Sequence, residues 1–403
     1  MNVVLADNKI RELLNPSDEL TIEKKELTLK ANGVVKNILS SKKSLENYNE
    51  TKTYLTTLYD NLKGIFDFAQ VPMELRDRQF LNKTGFAMSP TNAITTINDT
   101  FRVSGFIRAI DLAIKDLKDS FKGEILHIVY PACGPLAPLL VPLLVYYNSN
   151  NIYTSKDFKV TFIDIQEGAV ISLVSLLKVL ELDDFVKDIL CIDAVDYKSK
   201  EDIHLVILEA MQHGFTKEGH LSISKHFSTL LADNGILIPQ EVRIDTVLTT
   251  GEEEYNTQWR DVELVSSHSM NEDIKNNRLV LGEVLKVNLQ TLKDMQIIEL
   301  DQNTRLVRCA SHTIPNFEKE HDKKIMLFTT NVIIYKDELL SEYDSGITHP
   351  LPNLDICINF IPKDKRDTDL YISSGDTMTF YYKLVGMPGF LVTKESNQRV
   401  QNG

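Results

Sequence analysis

Three residues of this chain, Gly134, Asp164 and Asp193, each stand just past an apolar stretch with strand character. A glycine in the first such turn lets the backbone approach a bound nucleoside closely. A carboxylate after the second stretch can accept both hydroxyls of a ribose, and one after the third puts a polar group at the adenine edge. Either acid alone could be a strand-end or helix-cap aspartate. In series they match the way a doubly wound sheet binds an adenosine-bearing cofactor at the carboxyl ends of its strands. Tyr130, Ala132, Ile165 and Ala194 flank the three residues and are expected to line the same pocket. Nicotinamide cofactors fit less well, because Gly134 stands alone and no GxGxxG turn accompanies it. No GxxxxGK[ST] phosphate loop is present either.

Metal chemistry finds little support. The cysteines, Cys133, Cys191, Cys309 and Cys357, form no CxxC pair, and His213, His220 and His226 are not at metal-ligand spacing and read as surface or loop residues. No metal is expected.

The elements that must position these residues change character along the chain. Residues 1 to about 120 read as helical, with apolar residues at three- and four-residue steps. Ser89-Pro90 looks like a helix start, and residues 93–121 keep one apolar stripe through Ile94, Ile97, Phe101, Phe106, Ile110 and Leu112. From about 122, strands (125–130, 158–163, 185–192, 203–208, 235–238) alternate with helical stretches, which implies right-handed crossovers and a mostly parallel sheet. Pro142 is expected to kink the helix after the first strand. After Pro239, short alternating segments (242–248, 279–287, 324–335, 355–360, 377–385) read as antiparallel β structure. The expected fold is therefore α/β: a Rossmann-like doubly wound sheet with an N-terminal helical region and a C-terminal antiparallel β-barrel-like domain. The divisions fall at residues 1–88 (helical), 89–239 (cofactor-binding), 240–395 (barrel-like substrate domain) and 396–403 (polar tail).

Hydrophobic residues make up 43% of the 403 and charged residues 25%, with a net charge of −13. That balance suits a soluble globular protein and argues against nucleic acid or an anionic membrane as partner. The mixed polar and apolar start shows no signal peptide, and the longest apolar run, 136–147, is too short to span a bilayer. A soluble, cytoplasmic protein is expected.

The loop at 208–218, Leu-Glu-Ala-Met-Gln-His-Gly-Phe-Thr-Lys-Glu, resembles the double-glutamate loop of protein arginine methyltransferases: two glutamates nine apart, a methionine two after the first. Residues 231–239 resemble the segment by which that family leaves its Rossmann part. Asp99-Thr-Phe-Arg102 resembles its Asp-x-x-Arg helix, Thr348-His349 the start of its Thr-His-Trp loop, and 375–380 a late barrel strand. The resemblance covers residues 93–239 best. It implies a class I methyltransferase that binds S-adenosyl-L-methionine and releases S-adenosyl-L-homocysteine. Arg102 would grip the cofactor carboxylate. Glu209 and Glu218 would hold the acceptor, with Glu209 also placed to touch the cofactor. His349, oriented by Asp99, would take up a proton.

The chain departs from the family at several points. The first strand ends in Tyr130 rather than an acid, Ala132 and Leu136 replace glycines, and Pro350 stands where the tryptophan would be. Residues 1–85 do not match. No helical dimerisation arm is evident between Pro239 and Val287, so a homodimer stays open. The acceptor is expected to be a guanidinium or another basic group on a peptide. The alternatives are a small molecule or ribosomal peptide as acceptor, and a non-catalytic cofactor-binding or scaffold protein.

Overall fold

A computed structural model describes residues 2–4, 21–254, 272–317 and 323–395. Its centre is a six-stranded, wholly parallel sheet in the order β1-β6-β5-β4-β7-β8. The strands are β1 (Asn2–Val4), β4 (Leu126–Pro131), β5 (Phe158–Asp164), β6 (Val186–Cys191), β7 (Ile203–Ile207) and β8 (Leu231–Ile238). All six residues of β4 and all five of β7 are buried, as expected for strands covered on both faces. From β4 the chain winds outward through β5 and β6, then crosses back to β7 and β8. Strand order therefore reverses between β4 and β7, and the crevice beyond their carboxyl ends is where such a sheet binds ligands.

Helices cover the sheet: α5 (Thr100–Ser120), α6 (Val141–Ser149), α7 (Glu167–Val179) and α8 (His220–Phe227). Helix α5 is buried nearly all round, with Phe106, Ile107, Ile110 and Ile114 on one face and Phe101 turned toward Tyr48 of α2 (Leu45–Phe68). Each such side chain stabilises by about 1.5–3 kcal/mol, so Phe106→Ala would cost about 3–5 kcal/mol. Ser89 caps the short helix α4 (Pro90–Ala93), accepting from the Asn92 N–H. The stripe from 93 to 121 is not one helix. A 3-10 turn (Ile94–Asn98) ends at Asp99, which leaves helical geometry and caps α5. Pro142 does not kink α6, because the helix starts at Val141 and the proline falls in its first turn, where no backbone N–H is needed.

The N-terminal part is helical in α1 (Thr21–Ser40), α2 (Leu45–Phe68) and α3 (Met73–Arg76), yet it also holds strands. β1 adds an edge to the parallel sheet beside β6. A hairpin, β2 (Phe80–Leu81) and β3 (Phe86–Ala87), turns through residues 82–85. Two- and three-residue strands carry no readable alternation, which is why the sequence pattern passes over them.

The C-terminal part is two facing sheets. One runs β10 (Leu279–Asn288), β9 (Glu241–Thr249), β13 (Lys324–Tyr335), β15 (Leu351–Ile358), β16 (Leu370–Ile372), with β14 (Glu338–Leu340) beside β13. The other runs β11 (Ile297–Asp301), β12 (Thr304–Thr313), β17 (Thr377–Lys383), β18 (Gly389–Glu395). Pairing is antiparallel except between β15 and β16. Phe328 on one sheet stacks on Phe390 of the other at 4.5 Å and meets Phe380 edge-on at 6.0 Å. Those rings fill the space between the sheets and make the whole barrel-like. Helix α5 joins the two halves: Arg108 pairs with Glu338 at 2.8 Å, and Tyr335 Oη donates to Asp116 at 2.9 Å.

No helix among the described residues is long and apolar enough to cross a membrane. Residues 255–271, within the stretch from Pro239 to Val287 where the sequence shows no dimerisation arm, and the tail 396–403 lie outside the described residues.

Candidate functional site

A cleft of about 430 Å³ opens at the carboxyl ends of β4, β5 and β7. Tyr130, Ala132, Gly134, Asp164, Ile165, Asp193 and Ala194 all line it, with Arg102, Glu209 and Glu218. The first turn runs through left-handed backbone at Ala132 (φ 51°), Gly134 (φ 68°) and Ala137 (φ 41°). A β-carbon at Gly134 would meet nothing nearer than Ala93 Cβ at 4.0 Å. Glycine there serves the backbone conformation and keeps the cleft wall bare.

Asp164 ties this turn to the next. Its Oδ2 accepts from the Gly134 N–H and its Oδ1 from the Gln166 N–H, each at 2.8 Å. Burial pushes its carboxyl up to about 6, and the two backbone donors hold it from rising further. Asp193 caps the 3-10 turn Ala194–Asp196 through the Val195 N–H at 3.2 Å and accepts from Asn82 Nδ2 at 3.3 Å. Burial raises its pKa too.

The glutamate pair hangs from β7. Gln212 and Thr216 exchange backbone hydrogen bonds across a tight turn in which Gly214 has φ 64°, and Leu351 packs so closely that a β-carbon on Gly214 would lie 2.6 Å from it. Glu209 and Glu218 leave the two ends of this loop. Arg102 Nη1 donates to Glu209 Oε2 at 3.2 Å. Arg102 Nε lies 3.3 Å from Asp99 Oδ2, but off-line, so this buried N–H is ion-paired without an acceptor. Gln212 Nε2 donates to Glu218 Oε1 at 3.1 Å.

The electrostatics follow from burial. Desolvation works against the Arg102 charge, but Glu209, Asp99 and Glu218 outweigh it and raise its pKa. Burial raises Glu209, which Arg102 offsets. Burial, with the Glu209 charge added, lifts Glu218 to about 7, while Gln212 and Arg102 draw it down. One guanidinium thus serves the carboxylates Asp99, Glu209 and Glu218. The pocket is short of positive charge, which suits a cationic ligand.

Asp99 and His349 stand beside the cleft, not among the residues lining it. Asp99 Oδ2 accepts from Ser345 Oγ at 2.6 Å and from the Gly346 N–H at 3.0 Å. These donors belong to the loop that leads into His349. The His349 ring meets Tyr343 edge-on at 4.7 Å.

Sequence reasoning missed four contributors: Gln166, Gln212, Ser345 and the hairpin at 80–87. Gln166 Nε2 donates to the carbonyls of Arg78 at 2.8 Å and Met88 at 2.9 Å, fixing the base of the hairpin. The hairpin roofs the cleft through Asn82, Phe86 and Ala87. Its one sequence signal is Asn82-x-x-Gly85 between apolar pairs, a turn pattern. His220, read as a surface or loop residue, is instead buried at the start of α8, and burial lowers its pKa to about 3. Leu221, Ile223, Ser224 and Phe227 of the same helix are buried with it, and its ring meets Phe215 at 5.4 Å.

No family model matches the chain, and no curated protein is similar to it in sequence. Among solved structures it is similar to the Trypanosoma brucei PRMT1 enzyme-prozyme heterotetrameric complex with AdoHcy, at 11% identity and a TM-score of 0.41, covering 76% of this chain and 94% of that one. It is also similar to Arabidopsis thaliana protein arginine methyltransferase 10, at 11% identity and a TM-score of 0.42, covering 73% of this chain and 87% of that one. What the site does is read from its own residues.

Proposed function

We propose that this chain is an S-adenosyl-L-methionine-dependent methyltransferase that N-methylates a guanidinium. The observation that carries the reading is the pair Glu209 and Glu218, two part-buried carboxylates in one loop at the switch point, facing a single arginine. It is supported by the ordered turns at Gly134, Asp164 and Asp193 beside them, and by the sequence resemblance of residues 93–239.

When bound, the cofactor supplies a methyl group on a sulfonium sulfur. Arg102, whose Nε lacks an acceptor, would hold its carboxylate. Asp164 and Asp193 would hold its ribose and adenine ends, and bare Gly134 would allow close approach. Glu209 Oε2 accepts from Arg102 and Glu218 Oε1 from Gln212, and the Met211 N–H also faces the Glu209 carboxylate. The remaining oxygens would take the N–H groups of a planar guanidinium and fix its orientation. Ionised carboxylates also concentrate lone-pair density on the reacting nitrogen. The hairpin excludes water. A ring nitrogen of His349, whose loop is held by Asp99, receives the released proton through water.

The test is methyl transfer by the full chain from labelled cofactor to arginine peptides and to small guanidines, with Glu209→Gln and Glu218→Gln alongside. Transfer to arginine that both variants lose, with S-adenosyl-L-homocysteine binding retained by Glu218→Gln, supports the reading. Turnover on metabolites alone would move the acceptor to a small molecule. Absence of cofactor binding would leave a scaffold protein.

A further inference from the structure

The hairpin that roofs the cleft touches the backbone that carries Glu218, and it does so through glycine on both sides. A β-carbon at Gly85 would lie 2.7 Å from Gly219 N, 2.8 Å from Glu218 C and 2.9 Å from Lys217 O. A β-carbon at Gly219 would lie 3.0 Å from Thr84 Oγ1 and 3.1 Å from Thr84 O. Neither glycine is needed for a left-handed φ, so the reason for both is closeness of approach. The contact is pinned by a hydrogen bond from the Phe86 N–H to the Lys217 carbonyl at 2.8 Å.

Both partners in this contact are held by further bonds. The hairpin turn is stiffened by Asn82, whose Oδ1 accepts from the Thr84 N–H at 2.9 Å and the Gly85 N–H at 2.7 Å. Lys83 ties it to Asp196 at 2.7 Å. On the other side, the Lys217 N–H donates to the Pro388 carbonyl of the barrel at 2.9 Å. The backbone of Glu218 is thus wedged between a turn from the N-terminal part and a loop from the C-terminal part.

We propose that Gly85 is a positioning residue for Glu218: its bare backbone sets where the Glu218 carboxylate stands, and through it the fit of the acceptor. Nothing in the motif around Glu218 reveals this, because the partner lies more than 130 residues upstream. The role in acceptor fit rests on the methyltransferase reading; the wedge itself does not.

The experiment follows Glu218 directly. In the full chain labelled with carboxyl-carbon-13 glutamate, the Glu218 signal is identified by its loss in Glu218→Gln and titrated in the unaltered protein and in Gly85→Ala. Glu209, Arg102 and Lys217 face Glu218 and are unchanged between the two samples. Displacing the carboxylate toward water lowers its titration midpoint by roughly half a pH unit or more. Gly219→Ala, made from the other side of the same contact, shifts it in the same direction. Loosening the turn with Asn82→Ala in the Gly85→Ala background brings the midpoint back, because the hairpin then yields instead. A midpoint in folded Gly85→Ala and Gly219→Ala equal to that of the unaltered chain would overturn the proposal. Should Gly85→Ala fail to fold, Gly219→Ala decides alone. Turnover is measured in parallel, and Gly85→Ala is expected to raise the acceptor KM about tenfold while S-adenosyl-L-homocysteine affinity changes less than about twofold. No turnover by the unaltered chain would sink the methyltransferase reading, whereas the titration would still decide the role of Gly85.

Discussion

Arg102 Nη1 and Glu209 Oε2 lie 3.2 Å apart, with 13% and 8% of their side chains exposed. The pair joins the first turn of α5 to the loop after β7 and forms the charged floor of the cleft. Removing one partner from a buried pair leaves the other desolvated and uncompensated, at a cost of about 3–5 kcal/mol. Arg102→Ala is therefore expected to destabilise by about 3 kcal/mol in urea unfolding. Adding Glu209→Gln should restore part of that loss, because the stranded charge is then gone. Simple additivity of the two substitutions would show that the pair does not couple. Ligand at about 100-fold over its dissociation constant stabilises by about 2.7 kcal/mol, and Arg102→Ala should lose that shift with S-adenosyl-L-homocysteine.

Glu218 gives the chain a pH dependence of definite sign. Its carboxyl is raised from 4.5 to about 7 in the folded state, first by burial and then by Glu209. Between those values the folded chain holds a proton that the unfolded chain has lost, so stability falls as pH rises. The contribution is full below about pH 4.5 and gone above about 7, on the order of 3 kcal/mol. Asp164, raised to about 6, acts in the same sense. Glu218→Gln should flatten the decline of melting temperature between pH 5 and 7, leaving the Asp164 part. An unchanged slope would mean that Glu218 does not titrate there. Capture of a cationic acceptor should strengthen over the same range, since only the ionised carboxylate attracts it.

The parallel sheet and the order Gly134, Asp164, Asp193 were legible because each residue follows an apolar strand that cannot be exposed. The β-segments read at 242–248, 279–287, 324–335 and 377–385 fall on β9, β10, β13 and β17, whereas the one read at 355–360 catches only the second half of β15, which starts at Leu351. β12 and β18 were hidden by polar residues on their outward faces. The break at Asp99 was hidden because the apolar stripe runs on across it; only a capping side chain marks the restart, and aspartate has many other uses. Ser345, Gln212 and Gly85 act through partners remote in the chain or through bare backbone, which residue type and spacing do not encode.

Asp99 does two jobs with one carboxylate. It caps α5 through the Arg102 N–H at 3.4 Å, and it receives Ser345 Oγ at 2.6 Å. Charge-assisted hydrogen bonds contribute about 1.5–3 kcal/mol, and loss of an aspartate cap costs about 1 kcal/mol. Asp99→Ala should thus destabilise more than Ser345→Ala. A double-mutant cycle between them should give a coupling of about 1 kcal/mol or more. Zero coupling would mean that the loop leading into His349 is held by its other contacts.

The same loop is braced from its far side by a buried ion pair. Arg278 grips Glu254 through Nε at 2.5 Å and Nη2 at 3.1 Å, and reaches Glu342 through Nη1 at 2.6 Å. The side chains of Arg278 and Glu254 are 2% and 0% exposed. Tyr343 Oη donates to Glu254 at 3.1 Å, and its ring lies against His349. Glu254→Gln keeps the shape but removes one of the two carboxylates that face Arg278, leaving Glu342 as its counter-charge, so it should cost about 2–3 kcal/mol through the weakened charge-assisted bonds. Tyr343→Phe keeps the ring against His349 and loses the hydroxyl, which donates to Glu254 and accepts from Arg278 Nη2 at the long distance of 3.4 Å, at about 1–1.5 kcal/mol. Urea unfolding of the two variants separates these effects. If Tyr343→Phe proves as costly as Glu254→Gln, the brace resides in the tyrosine hydroxyl, and the buried pair is not what anchors the loop that carries His349.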